Sequence, residues 1–207
     1  MAKQVSDTSV SQISGTDSEM RVVVGMTGAS GMIYGVRVLA ALKTLGIETH
    51  LIMTEPAEVT MRYEMGSDPE TVNKLVSFTY APTYLAASIA SGSFPTTGMI
   101  VAPCSIKTLS AIANSHSDNL LVRAADVTLK EGRPLILVVR EAPLHLGHLR
   151  LMVQAAEIGA IIFPPVPAFY AQPATVEDLV DQSVGRILAR LGIPNALYHS
   201  WEGGESE

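Results

Sequence analysis

The sequence predicts an α/β fold: a doubly wound parallel sheet, Rossmann or flavodoxin-like, with helices on both faces. Three observations lead there. From Arg21 onward, short apolar or β-branched runs alternate with helical segments, the order that builds parallel sheets. The runs are apolar almost throughout, as strands covered on both faces are. The first run also passes into a glycine-rich turn that opens a helix, a common route to a phosphate site.

Strands are expected at Arg21–Met26, Thr49–Met53, Met99–Ala102, Leu135–Val139 and Ala160–Phe163. One helix begins near Met32, and another opens in Ala102–Thr108. A helix from Asp118 to Lys130 is apolar nearly all round and therefore expected to be buried. The next runs from Pro143 to Ile158, with proline in its first turn and Gly159 as its stop. The last helix is the clearest. Thr175 and Asp178 form a capping-box pattern, and Val176, Leu179, Val180, Val184, Ile187, Leu188 and Leu191 follow at helical spacing. Gly192 and Pro194 end it. Between Ser77 and Thr97 the periodicity fades into Ser, Thr, Pro and Gly, which reads as a long loop over the working edge of the sheet.

A chain of 207 residues with no internal repeat and no change of composition is one domain. We place it at 21–201, after a disordered polar tail (1–20) and before a short flexible C-terminal tail (202–207). Hydrophobic residues make up 47% and charged residues 16%, against roughly 25% charged in an average soluble protein. That balance calls for extensive burial, between subunits as well as in the core. A net charge of −6 leaves no basic footprint for nucleic acid or an anionic membrane. No apolar stretch approaches the roughly 18 residues of a membrane span. The single cysteine, Cys104, allows neither an internal disulfide nor a CxxC pair. The cytoplasm is the expected address.

Chemistry concentrates at the ends of the strands. Gly25-Met-Thr-Gly28-Ala-Ser-Gly31 has GxxGxxG spacing, which is neither the dinucleotide fingerprint nor a Walker loop. Thr54 ends the second strand where an NAD site would want a carboxylate. A mononucleotide phosphate is the simplest ligand, a tight turn that binds nothing the alternative. Ala102-Pro-Cys104-Ser-Ile-Lys-Thr108 opens the next helix and, outside the carboxyl end of its strand, can share a crevice with the first turn. Ser105 and Thr108 offer hydroxyls there. Cys104 reads as a nucleophile or, more simply, as a small core residue. Arg123, Asp126 and Lys130 share one helix face, either as an ion-pair stripe or as phosphate clamps.

Arg140-Glu141 sits at the mouth of the crevice. Glu141 is a general acid/base if burial raises its pKa, or one half of a salt bridge. His145 and His148 lie three apart, and without acidic or thiol partners at ligand spacing they read as helix-start packing rather than metal ligands. Phe163-Pro-Pro-Val-Pro-Ala-Phe-Tyr170 is a stiff connector that ends in a hydroxyl. Arg186 lies off the apolar stripe of the last helix.

Taken together, Thr27-Gly-Ala-Ser-Gly31, Ala90-Ser-Gly-Ser93, Pro103-Cys-Ser-Ile-Lys-Thr-Leu-Ser110, Arg123-Ala-Ala-Asp-Val127, Leu129-Lys-Glu131, Arg140-Glu-Ala-Pro-Leu-His145 and Pro164-Pro-Val-Pro-Ala-Phe-Tyr170 resemble the UbiX-like flavin prenyltransferases. Some members carry the older names phenylacrylic acid decarboxylase or decarboxylase B subunit. The likeness runs in order from about Arg21 to Trp201. It implies a metal-independent enzyme that transfers dimethylallyl from dimethylallyl phosphate to reduced FMN, closing a fourth ring between N5 and C6. The product, prenylated FMN, serves UbiD-type decarboxylases. The likeness also implies a homododecamer with its sites at subunit contacts.

By that resemblance, Gly28, Ala29, Ser30, Thr54, Ser105, Ile106, Lys107, Thr108 and Arg140 hold FMN. Tyr170 and Arg186 bind the prenyl phosphate, with Arg123, Lys130, Ser91, Gly92 and Ser93 nearby. Glu141, Lys130 and Glu64 take the catalytic places. Many members have Ser at the position of Thr54, and others read CSTGT where this chain has Cys104-Ser-Ile-Lys-Thr108. The rival readings are an FMN-dependent cysteine decarboxylase, a non-catalytic flavin carrier for an aromatic acid decarboxylase, and a phenolic acid decarboxylase in its own right.

Overall fold

The structure is a computed structural model that describes residues 20–201 and Gly203. Apart from Met20 and Gly203, the tails read at 1–20 and 202–207 lie outside the described residues. Six parallel strands form one sheet: β1 (Arg21–Met26), β2 (Glu48–Met53), β3 (Phe78–Tyr80), β4 (Gly98–Cys104), β5 (Leu135–Val139) and β6 (Ile161–Ile162). Their order is β3-β2-β1-β4-β5-β6. Beyond β3 the chain crosses back over β2 and β1, so the carboxyl ends of β1 and β4 flank a topological switch point. Ligands of open α/β sheets bind there.

Side chains alternate between two cores, as the pleat requires. Val22, Val24, Met26, Ile100 and Ile136 face α1 (Met32–Thr44) and α6 (Val176–Arg190). Val23, Met99, Val101, Leu135 and Leu137 face α3 (Ile106–Ala113), α4 (Leu120–Lys130) and α5 (Leu146–Glu157). Each fully buried branched side chain contributes about 1.5–3 kcal/mol, so the two faces together carry the sheet. The remaining helix, α2 (Glu55–Met65), packs beside α1. Among the described residues, no helix is long and apolar enough to cross a membrane.

Two elements escaped the sequence pattern. The Ser77–Thr97 stretch is not loop throughout, because Phe78–Tyr80 pairs with β2 as an edge strand. Three residues with an exposed Phe78 are too few to show an alternation. Helix α2 buries only Ala57 and Met61, so it has no apolar stripe. Its signal was local: Thr54 caps it, followed by Glu55 and Pro56 at the first helical positions, a known start pattern.

The fifth helix starts at Leu146 and not at Pro143. His145 is its N-cap, its Nδ1 accepting the Gly147 N–H at 3.0 Å. The sixth helix carries the full capping box of Thr175 and Asp178.

Candidate active site

The β1–α1 and β4–α3 turns meet at Thr27, whose N–H donates to Pro103 O at 3.2 Å. Thr27 Oγ1 donates to Pro103 O at 2.7 Å and accepts the Ser105 N–H at 2.8 Å. Ser105 in turn caps α3, its hydroxyl accepting the Thr108 N–H at 3.3 Å. Between these turns lies a crevice of about 770 Å³, lined by Thr27, Gly28, Thr54, Ser105, Lys107 and Thr108 on its inner side. Its outer end is formed by Asn114, His116, Asp118 and Asn119. The sequence reading missed these four, which lie between two helices where no periodicity points inward. Only the cap signal of Asn119, which bonds Val122 N–H, was there to be read.

Three expectations change at the neighbouring helix start. Two N–H groups at the start of α1, read as a phosphate site, are already engaged: Glu64 accepts from Gly31 N at 2.9 Å and from Met32 N at 2.9 Å. Burial acts to raise the Glu64 carboxyl. Hydrogen bonds from Ser30, Met32 and Gly31, with the charge of Arg140, outweigh it and hold the group below its ordinary range. Arg140 is exposed and lies along Gly31. Glu141 is exposed, accepting the Ala142 N–H at 3.0 Å, and among the described residues it forms no salt bridge. Cys104 is fully buried, and burial pushes its thiol up to about 12. That removes the nucleophile reading, because only the thiolate attacks.

The other predicted residues fall into two further groups. Arg123 pairs with Asp126 at 3.1 Å, as the shared helix face implied, but Lys130 turns to Glu131 instead. Both cations lie beside the Ala90–Thr96 loop, which packs on α4 and not over the crevice. Tyr170 and Arg186 line a separate cavity of about 430 Å³ with Arg190, Tyr198 and Trp201. The Tyr170 hydroxyl accepts from Gln182 Nε2 at 3.2 Å, and Trp201 meets the ring edge-on at 5.8 Å. The His148 ring lies tilted against His145, with ring centroids 3.6 Å apart. Ala29, Ser30 and Ile106 are half-buried beside the two turns.

This strand order, with a hydroxyl-lined crevice at its switch point, defines a mononucleotide-binding α/β protein. The Flavoprotein family model matches residues 10–188. The flavin prenyltransferase UbiX of Thauera aromatica is 53% identical over 186 residues, covering 90% of this chain and 96% of the relative. The crystal structure of AnUbiX (PadA1), in complex with FMN and dimethylallyl pyrophosphate, superposes with a TM-score of 0.88 at 48% identity, covering 90% of this chain and all of that one. A dodecameric FMN-dependent UbiX-like decarboxylase from Escherichia coli O157:H7 gives a TM-score of 0.86 at 45% identity, over 89% of this chain and all of that one. The chain belongs to the flavoprotein family and, within it, to the UbiX-like flavin prenyltransferases.

Proposed function

We propose that this flavin prenyltransferase moves the dimethylallyl group of dimethylallyl phosphate onto reduced FMN, and that the prenylated FMN it releases serves a UbiD-type decarboxylase. The observation that carries the reading is the crevice between Thr27-Gly28 and Ser105–Thr108. A flavin mononucleotide fits it on two counts. A volume of about 770 Å³ lies within the usual range for small-molecule sites, roughly 300–1,000 Å³. The lining also supplies what the phosphate needs, namely Ser and Thr hydroxyls and the N-terminal end of α3.

In this reading Gly28, Ala29, Ser30, Thr54, Ser105, Ile106, Lys107, Thr108 and Arg140 hold FMN. Reduced FMN supplies the nucleophilic N5 and C6. Tyr170 and Arg186 hold the donor phosphate, with Arg123, Lys130 and Ser91–Ser93 close by. The Lys130 ammonium and the serine hydroxyls stabilise the charge that grows on the leaving phosphate. Excluding water from the pocket protects the allylic carbon as it loses that bond. Glu141 moves protons at the acceptor, and Glu64 sets the charge at the first turn.

On one chain these groups stand in four places: the crevice, the α1 start, the α4 face and the α6 cavity. That separation supports a site completed by neighbouring copies, in a dodecamer like the Escherichia coli relative. Leu146, Leu149 and Val153, exposed along one face of α5, offer apolar surface for such contacts. The proposal includes a cytoplasmic address, where the lone Cys104 stays reduced.

The test is anaerobic. Protein, reduced FMN and dimethylallyl phosphate are mixed without metal, and the released flavin is weighed by mass spectrometry. A gain of one five-carbon prenyl unit is expected, and Glu141→Gln or Lys130→Met should abolish most of it. Unchanged flavin mass with both the phosphate and the pyrophosphate donor overturns the reading. Full activity in both variants overturns the assigned roles.

A further inference from the structure

The loop from Ala90 to Thr96 is held onto α4 by two guanidinium groups. Arg123 Nε donates to Ala90 O at 3.2 Å. Arg133, in the turn between α4 and β5, donates from Nη1 to Phe94 O at 2.8 Å and to Thr96 Oγ1 at 3.3 Å. Its Nη2 donates to Gly92 O, also at 2.8 Å. The loop rests directly on the charged pair below it. A Cβ added at Gly92 would lie 2.0 Å from Glu131 Oε1 and 2.7 Å from Lys130 Nζ. At the exposed tip the Ser91 and Ser93 hydroxyls are 2.9 Å apart, and Ser91 O accepts the Phe94 N–H at 3.2 Å.

We propose that Arg133 is a positioning residue for the prenyl donor. Its rigid planar fork grips two carbonyls of the loop in fixed directions, where a lysine offers only a point charge on a flexible stem. The loop backbone is thereby fixed so that the Ser91 and Ser93 hydroxyls and the Lys130 ammonium present themselves to the phosphate as one set. Arg133 donates to three oxygens of the loop, and it acts through the loop. The proposal rests on the reading that puts Ser91–Ser93 and Lys130 at the donor phosphate.

The experiment compares wild type, Arg133→Gln and Arg133→Lys as assembled protein with FMN. It reads the KM for dimethylallyl phosphate, kcat, FMN affinity, and hydrogen exchange at the Ser93 and Phe94 amides. In Arg133→Gln the donor KM rises about tenfold, within the roughly hundredfold that a 1 Å misplacement can cost. Because the same groups meet the leaving phosphate, kcat falls as well; FMN affinity and thermal stability stay near wild type, and both amides exchange faster, with Arg133→Lys between. A wild-type KM in Arg133→Gln overturns the proposal, as does a joint collapse of kcat, FMN affinity and thermal stability. If Arg133→Gln does not fold, Arg133→Lys decides alone: a raised donor KM supports the clamp and an unchanged one overturns it. If the wild type prenylates no flavin, the donor-site reading falls and the proposal with it. A working wild type beside an indifferent variant removes Arg133 only.

Discussion

The Thr27 hydroxyl and the Ser105 amide are joined by a 2.8 Å hydrogen bond across the switch point of the sheet. Thr27 is 1% exposed, so neither of its hydrogen bonds can be exchanged for water. The residues are 78 positions apart, yet this contact ties their two turns together beside the crevice.

Thr27→Val keeps the shape and removes the hydroxyl, leaving the Ser105 N–H without its partner. The expected loss is about 1–3 kcal/mol, read from urea unfolding, together with weaker FMN binding. Thr27→Ser should keep most of both. A Thr27→Val protein with wild-type stability and FMN affinity would show that the hydroxyl does not hold the crevice.

Glu64 supplies from α2 the cap that Gly31, having no side chain, cannot give to α1. Glu64→Ala should cost about 0.5–2 kcal/mol, the range of a lost N-cap. The carboxyl is held below its ordinary value when folded. Its contribution is therefore present above the unfolded pKa, near 4.3, and is lost as pH falls through the lower folded value. Unfolding midpoints between pH 5 and pH 3 should fall less steeply in Glu64→Gln than in wild type. Parallel slopes would rule out that linkage.

Gly35 sits where α1 crosses β4, and a Cβ there would lie 2.3 Å from Ala102 O. Helix propensity favours alanine by about 1 kcal/mol. Overpacking against backbone costs about 1–3 kcal/mol or more, and rigid backbone puts this site at the upper end. Gly35→Ala should therefore lower the melting temperature. An increase would mean that α1 can lift off the sheet without loss.

His50 is 2% exposed and fully bonded. Its Nε2 lies 2.8 Å from Glu48 Oε1 and its Nδ1 lies 2.9 Å from the Tyr80 hydroxyl. Phe78 stacks on the ring and Phe94 meets it edge-on. An ionised Glu48 can only accept, so Nε2 carries a proton. Burial pulls the His50 pKa down, the bond and charge of Glu48 work against it, and Arg21 adds to the lowering. The folded state thus binds fewer protons than the unfolded chain. Stability is complete above the unfolded value near 6.5 and is lost as pH falls through the lower folded value, by at most about 1.4 kcal/mol per pH unit. Wild-type protein should unfold at lower urea at pH 5.5 than at pH 7.5, and His50→Gln should narrow the gap. An equal gap in both would assign the effect to other groups.

Much of the molecule was legible in its residues. Continuous apolar runs give away strands covered on both faces, because burial imposes its own periodicity on local sequence. The Thr175–Asp178 cap, the buried α4 and the two turns at the switch point were all readable, since each signal lies within a few residues of the element it makes. The tertiary structure decided what depends on distant partners. Glu64 takes the α1 N-terminus from α2, 33 positions from Gly31, and Arg133 reaches back 41 positions to Gly92. Tyr170 and Arg186 line a cavity apart from the crevice, and three residues at Phe78–Tyr80 become a strand only because β2 offers an edge. Local patterns record which face of an element is buried, and the particular atoms that meet there are chosen by the packing of the whole chain.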